Sequence, residues 1–360
     1  MNGSRLETRL KHSFEPVRRR HAPLSACRAP PSGDAIQIAD GILWTRLPLP
    51  FRLDHVNVYL IEDEGGFAVL DTGVDTPESR AVWETLFAGV LRGKRLTKII
   101  VTHFHPDHIG LAGWLCRRFD APLYAGLTTY LSSINISIRP DSLEGEHYRD
   151  FYLRHGLAPE IAAMVATRGH EYLRLVHALE PTFRRILAGD TLSIGGRTYR
   201  LLSGEGHAPE QIMLLSEADG LFFAADQVLA KITPNVSVWA VDPDGDPLAL
   251  YLRSLRGLKE QVGADVLVLP GHQLPFHGLH TRAEELIAHH DLRCGLILSA
   301  CRGAPHSAAE LVPVLFPKAL DPHQMSFAFS ETQAHINYLI GRGALDAALS
   351  ADGIERVRCR

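Results

Sequence analysis

The chain has 360 residues, more than one hydrophobic core usually serves, so a large domain with a smaller companion is expected. Hydrophobic residues make up 46% and charged residues 22%, a balance that excludes a largely disordered or collagen-like chain, and no apolar run reaches the roughly 18 residues of a membrane span. The formal net charge of −4 argues against a protein built mainly to grip a phosphate backbone.

Residues 1–34 carry seven basic side chains (Arg5, Arg9, Lys11, Arg18, Arg19, Arg20 and Arg28) and end in Pro30-Pro31-Ser32-Gly33. No apolar stretch follows the three consecutive arginines, so an export signal is not expected. Residues 1–35 are read as a disordered extension, with order beginning near Ile36. Strands are predicted over Ile42–Leu47, Val56–Ile61 and Phe67–Leu70, the last two joined by a Glu64-Gly65-Gly66 turn. Pro77–Leu91 has helical spacing, with Thr76 as N-cap and Pro77 in the first position. A short strand, Lys98–Thr102, runs into His103-Phe104-His105-Pro106-Asp107-His108, and a helix follows over Ile109–Phe119.

From Leu127 to Ala188 the pattern is helical. Strands return at Thr198–Leu202, Ile212–Ser216 and Leu221–Ala224, then a helix at Leu248–Val262 and a strand at Val266–Leu269. The tail is predicted as three helices, Arg282–Cys301, Ser307–Leu315 and Pro322–Arg342, the second opened by the capping box Ser307-Ala308-Ala309-Glu310. A mixed α/β domain over 36–280, with a helical insertion at 127–188, and a small helical domain over 281–360 are therefore expected.

The five cysteines, Cys27, Cys116, Cys294, Cys301 and Cys359, form no C-x-x-C pair. Neither a disulfide framework nor a cysteine zinc site is expected, which suits a reducing, cytoplasmic compartment.

The 19 histidines direct attention to clusters, since His is the commonest metal ligand. His103-x-His105-x-Asp107-His108 places four ligand-type side chains within six residues just beyond a strand. His103 and His105 can converge on one ion, and Asp107 and His108 then point toward a second. Pro106 opposes a regular helix through the run. His207 follows one predicted strand, Asp226 ends another, and His272 follows a third in Pro270-Gly271-His272. Each alone is compatible with an ordinary loop residue; together they complete two spheres of N and O ligands.

The ordered set Leu70-Asp71-Thr72-Gly73, His103-x-His105-x-Asp107-His108, His207, Asp226 and His272 resembles the metallo-β-lactamase superfamily. The resemblance implies a four-layer αββα sandwich with the site at one edge. It implies that His103, His105 and His207 hold one zinc, that Asp107, His108 and His272 hold another, and that Asp226 bridges them. Asp71 would brace the ligand loop through hydrogen bonds. The full His/Asp set looks like the glyoxalase II-like and lactonase branch. On that reading a metal-bridging hydroxide attacks the acyl carbon of a small thioester, ester or lactone, and Asp107 shuttles the proton.

The insertion lies between the first ligand cluster and His207, which makes it a candidate cap. Tyr148 and His155 within it, and His55 and Asn235 beside motif-bearing segments, are candidate substrate contacts. The tail resembles the winged-helix-like domain of some superfamily members, including an endoribonuclease, so RNA cleavage by the same metals is the rival reading. Its third helix, over Gln324–Leu339, has no Lys or Arg to meet phosphates. The tail is therefore expected to pack or to dimerise, with nucleic acid and membranes not expected as partners. His289, His290 and His335 are assigned to packing. Iron-dependent thiol oxidation at one metal is the third alternative, opposed by the complete second ligand set.

Overall fold

The computed structural model describes residues 22–23, 28–139, 145–166 and 169–360. Two seven-stranded sheets form its centre. One runs in chain order: β2 (Ala35–Ala39), β3 (Ile42–Pro48), β4 (His55–Asp63), β5 (Gly66–Leu70), β6 (Arg95–Ile100), β7 (Leu123–Ala125) and β8 (Arg184–Arg185). The other has the order β1 (Ala22–Pro23), β14 (Phe276–His277), β13 (Leu267–Pro270), β12 (Leu221–Ala225), β11 (Gln211–Ser216), β10 (Arg197–Gly204) and β9 (Thr191–Ile194).

The period-two alternation of side chains assigns each sheet two faces. In β4, Val56, Val58 and Leu60 pack toward helices, whereas Tyr59 and Ile61 pack toward the opposite sheet. In β12, Leu221 and Phe223 face that sheet, and Phe222 and Ala224 face away from it. Strands apolar on both sides in this way are sandwiched between layers. Helices α1 (Pro77–Ala88), α2 (Pro106–Ile109) and α3 (Ala112–Phe119) belong to the first sheet's outer layer. Helix α8 (Pro247–Gln261) covers the second sheet through Leu248, Leu252 and Leu255. The result is the αββα arrangement.

The insertion supplies α4 (Leu127–Ile138), α5 (Glu146–Arg154), α6 (Pro159–Val165) and α7 (Gly169–Leu175). Helix ends at Leu175, earlier than the predicted 188, because the following chain is committed elsewhere. His177 N donates to Gly110 O, and Arg184–Arg185 pairs with β7. The predicted helix over Ile109–Phe119 is interrupted at Gly110-Leu111. A side chain at Gly110 would stand 2.5 Å from the carbonyl oxygens of Gly73, Leu175 and Pro106, so the backbones meet there at close range.

The tail consists of α9 (Leu279–Cys301), α10 (Ala308–Leu315), α11 (Pro322–Gly341) and a hairpin of β15 (Leu345–Leu349) and β16 (Glu355–Cys359). The hairpin is an addition to the all-helical prediction. Its exposed strand faces carry little apolar alternation, so its period was not legible. The tail shares one continuous core with α8 and the insertion, including Phe151, Tyr152, Leu286, Ile297 and Phe329. Two residues of the expected extension, Ala22–Pro23, pair with β14, a backbone interaction that leaves no signature in the side chains. Residues 1–21 and 24–27 lie outside the described residues. No helix among the described residues is long and apolar enough to cross a membrane.

Candidate metal centre

Strand ends create the site. Strand β5 delivers Asp71, β6 leads to the run His103–His108, β10 to His207, β12 to Asp226 and β13 to His272. Three of the turns use non-glycine residues in the left-handed region: Asp71 (φ 62°), Ala225 (φ 46°) and Gln273 (φ 69°). Each costs about 1–3 kcal/mol, held by the surrounding packing, and such outliers gather at functional sites. Gly271 cannot be replaced cheaply. A Cβ there would stand 2.2 Å from Asp226 Oδ1 and 2.9 Å from His108 Cε1.

The seven predicted ligands converge. Ligand atoms of His103, His105 and His207 lie within 4.8 Å of one another; so do those of Asp107, His108 and His272, and those of His103, His108 and Asp226. His103 Nε2 is 3.0 Å from His105 Nδ1. Asp226 Oδ2 lies 3.5 Å from His108 Nε2, 3.5 Å from His207 Nε2 and 3.1 Å from His272 Nε2. It therefore sits between the two sets. Asp107 Oδ2 is 3.2 Å from His272 Nε2.

Four of the five rings are fixed through their other nitrogen. His207 Nδ1 lies 2.8 Å from Asn235 O, His272 Nδ1 2.8 Å from His55 O, and His108 Nδ1 2.8 Å from Asp71 Oδ2. His103 Nδ1 is 2.9 Å from the Thr102 hydroxyl, which itself donates to Asp71 Oδ2 at 3.0 Å. Metal-ligating histidines are held this way, with the free nitrogen aimed inward. Asp71 also accepts from Thr102 N, which ties β5 to the His103 turn.

The donors fit divalent cations. His108 Nε2, His207 Nε2 and Asp226 Oδ1 are buried without a hydrogen-bond partner among the described residues, a costly state unless something else binds them. Burial pushes the His103 ring well below its ordinary pKa and that of His105 to about 3. Burial also disfavours charge on His108 and His272. The carboxylates nevertheless prevail, Asp107 and Asp226 foremost, holding His108 well above its ordinary value and His272 at about 10. Asp226 is buried too, yet His272 and His108 draw its carboxyl far down. Two buried carboxylates, Asp71 and Asp226, and half-buried Asp107 thus demand positive charge, which metal ions supply in place of imidazole protons.

Sequence reasoning missed the supports. Asp226 N donates to Gln211 Oε1 at 3.1 Å, and Gln211 Nε2 donates to Gln227 Oε1. Asn57 of β4 belongs with them. It is buried and donates to Pro270 O and Gln273 O, so it braces the His272 turn. Buried Arg282 on α9 donates to Leu229 O and Ile232 O, which fixes the segment leading to Asn235. These residues carry no spacing signal, because their partners lie 15 to 216 positions away.

A cavity of about 440 Å³ opens onto the cluster. His105, Asp107, His207, Asp226 and His272 form its floor. Its walls come from four parts of the chain: the Leu49–Leu53 loop, Tyr148, Tyr152 and Tyr172 of the insertion, the segment 229–239 with Asn235, and α11 through His323, Ser326, Phe327 and Ser330. Phe51 stacks on His323 with ring centroids 5.9 Å apart, so the loop and the tail meet over the site. Of the four candidate substrate contacts, Tyr148 and Asn235 line the cavity; His55 and His155 do not. The His55 carbonyl orients His272, and its Nε2 accepts from Gln273 N. His155 ends α5 and turns to the hairpin, with Nε2 3.6 Å from Glu355 Oε1. Beyond its packing against the insertion and α8, the tail contributes α11 as a wall of the cavity.

An αββα sandwich whose strand ends gather five histidines and two aspartates at and beneath a cavity floor defines a metal-dependent hydrolase. Residues 51–272 match the metallo-beta-lactamase superfamily and residues 294–359 match the metallo-beta-lactamase-like C-terminal domain; the chain belongs to this superfamily. It is 25% identical over 316 residues to a probable metallo-hydrolase of Bacillus subtilis, covering 85% of this chain and 94% of that protein. It is 22% identical over 242 residues to an atrochrysone carboxyl ACP thioesterase of Aspergillus fumigatus, covering 67% of this chain and 58% of that protein. A crystal structure of a beta-lactamase domain protein from Burkholderia ambifaria is 38% identical, with a TM-score of 0.87 over 97% of this chain and 100% of that one.

Proposed function

We propose that this protein is a dinuclear zinc hydrolase that cleaves an acyl bond of a small molecule: a thioester, an ester or a lactone. The observation that carries this reading is the shape of the cavity. It is a recess of about 440 Å³ with ligand-type side chains on its floor and tyrosines and phenylalanines on its walls, in the size range of small-molecule sites. The likeness to a fungal thioesterase supports the acyl class.

His103, His105 and His207 would hold one ion, Asp107, His108 and His272 the other, and Asp226 both. When bound, such ions acidify water and stabilise negative charge developing on oxygen or sulfur. The chain's own residues supply the rest. Asp107 faces the cavity as a carboxylate, because His108 and His272 outweigh the effect of its burial. It is positioned to accept a proton at Oδ2 and to return it to the leaving group. The apolar walls exclude water and hold the acyl moiety. The absence of Lys and Arg from the cavity wall contributed by α11 weighs against RNA as substrate. Free thiols at Cys116, Cys294, Cys301 and Cys359 suit a cytoplasmic setting.

The test is turnover of acyl-thioesters, p-nitrophenyl esters and lactones beside a labelled RNA, on protein of measured metal content. Acyl hydrolysis abolished by His103→Ala is expected. RNA cleavage abolished by His103→Ala, without acyl hydrolysis, would overturn the reading.

A further inference from the structure

A second group of ligand-type side chains lies in the tail, behind the active-site cavity. His290 on α9 meets Glu331 and His335 on α11, all three buried, with ligand atoms within 4.8 Å of one another. Glu331 and His335 are four residues apart on one helix, so both project toward His290.

The cluster repeats three features of the active-site histidines. First, His290 Nδ1 lies 3.1 Å from His335 Nε2, against 3.0 Å between His103 Nε2 and His105 Nδ1. Two imidazoles on one tetrahedral zinc, each bonded at about 2.0–2.1 Å, stand about 3.3 Å apart. Second, His335 Nδ1 is 2.7 Å from Glu331 O, the same backbone anchorage that His207 and His272 use. Third, the carboxylate is itself fixed, as Arg293 donates to Glu331 Oε1 at 2.8 Å. Anchored imidazoles beside an anchored carboxylate are the usual setting of metal ligands. One ring nitrogen of His290 faces His335, and the other, Nε2, is buried with no hydrogen-bond partner among the described residues. The same holds for Nε2 of His289, whose ring centroid is 5.4 Å from that of His290. An ion would bind the inner nitrogens, His290 Nδ1 and His335 Nε2, and it is their separation and the anchored Glu331 carboxylate, not these outer atoms, that favour one.

We propose that His290, Glu331 and His335 form a further metal site, which takes a divalent first-row ion such as zinc. The site is structural. Its ligands join α9 to α11 one residue beyond Ser330, which lines the cavity. Tyr251 separates it from the active site: its ring lies 5.5 Å from His290, and its hydroxyl donates to the carbonyl of Gln227, the neighbour of Asp226. An ion here pins the wall of the cavity without touching substrate.

The test is metal content of the full-length protein after reconstitution with zinc and removal of free ion. The combined variant His103→Ala, Asp226→Ala, His272→Ala removes three of the seven active-site ligands and leaves each of the two ion positions with only two. Folded, as judged by circular dichroism, it is expected to retain about one zinc per chain. In the otherwise native protein, His290→Gln is expected to lower the content by about one, and Glu331→Gln serves as a second variant where His290→Gln does not fold. A folded triple variant that binds no zinc, or a His290→Gln protein with the native content, overturns the proposal.

Discussion

Asp71 Oδ2 stands 2.8 Å from His108 Nδ1, and the same oxygen accepts from the Thr102 hydroxyl that contacts His103. One carboxylate thus orients a ring from each of the two predicted ion positions. Asp71→Asn keeps the shape but puts a neutral amide beside His108. Loss of such an outer partner typically lowers metal affinity or activity 10- to 100-fold. Metal retained after dialysis and kcat/KM on the preferred acyl substrate should both fall; native values for both would show that Asp71 is only a turn residue.

Gly271→Ala should disable the centre without replacing a ligand. The added methyl has no room beside Asp226 Oδ1 and His108. Metal content measured by mass spectrometry is expected to drop by at least half, with far-ultraviolet circular dichroism unchanged.

Metal removal should destabilise the fold as well as abolish turnover. Asp71, Asp107 and Asp226 have only imidazoles for positive partners within the cluster. An ion that binds only the folded state stabilises it by about 3–4 kcal/mol at 100 to 1,000 times its Kd. Chelation should therefore lower Tm by several degrees, and added zinc should restore it. An identical Tm with and without chelator would exclude a tightly bound ion.

Phe327 is 42% exposed and lines the cavity from α11. Removing its ring takes away apolar contact worth about 1–2 kcal/mol to a substrate that reaches it. Phe327→Ala is expected to raise KM about tenfold with kcat and metal content little changed. An unchanged KM across the acyl panel would mean that the tail does not contact substrate.

Asp63 on β4 joins Lys98 of β6, Thr97 and the backbone of Gly195, so it links the two sheets. Burial raises its pKa, but hydrogen bonds from Lys98 and Thr97 prevail and hold it at about 2. A folded-state pKa below the unfolded value gives stability that is present above about pH 4 and lost as pH falls toward 2. After discounting for solvent screening, this amounts to about 1 kcal/mol. Denaturant unfolding of Asp63→Asn should show that deficit at pH 7 and almost none near pH 2.

The candidate ligands were legible because they sit in short local runs or directly beyond apolar strands. His103-x-His105-x-Asp107-His108 needs no partner to be recognised, and Pro270-Gly271-His272 follows a strand whose boundaries are visible. His55 and His155 lie outside the cavity lining, because position along the chain does not fix which way a side chain faces. His55 turns its ring to Asp54 and Gln273, and His155 ends its helix against the tail.

The layered sandwich followed from the family resemblance, whereas strand periodicity and ligand spacing, both local properties, were enough to indicate a mixed α/β domain and to single out seven ligand-type side chains. Tertiary structure alone decided what encloses them. The cavity joins a loop near residue 51, an insertion helix near 148 and a tail helix near 327. Such contacts depend on how layers pack over hundreds of residues, and one-dimensional spacing records nothing of it. The same holds for His290 and His335, 45 positions apart in the sequence and 3.1 Å apart in the fold.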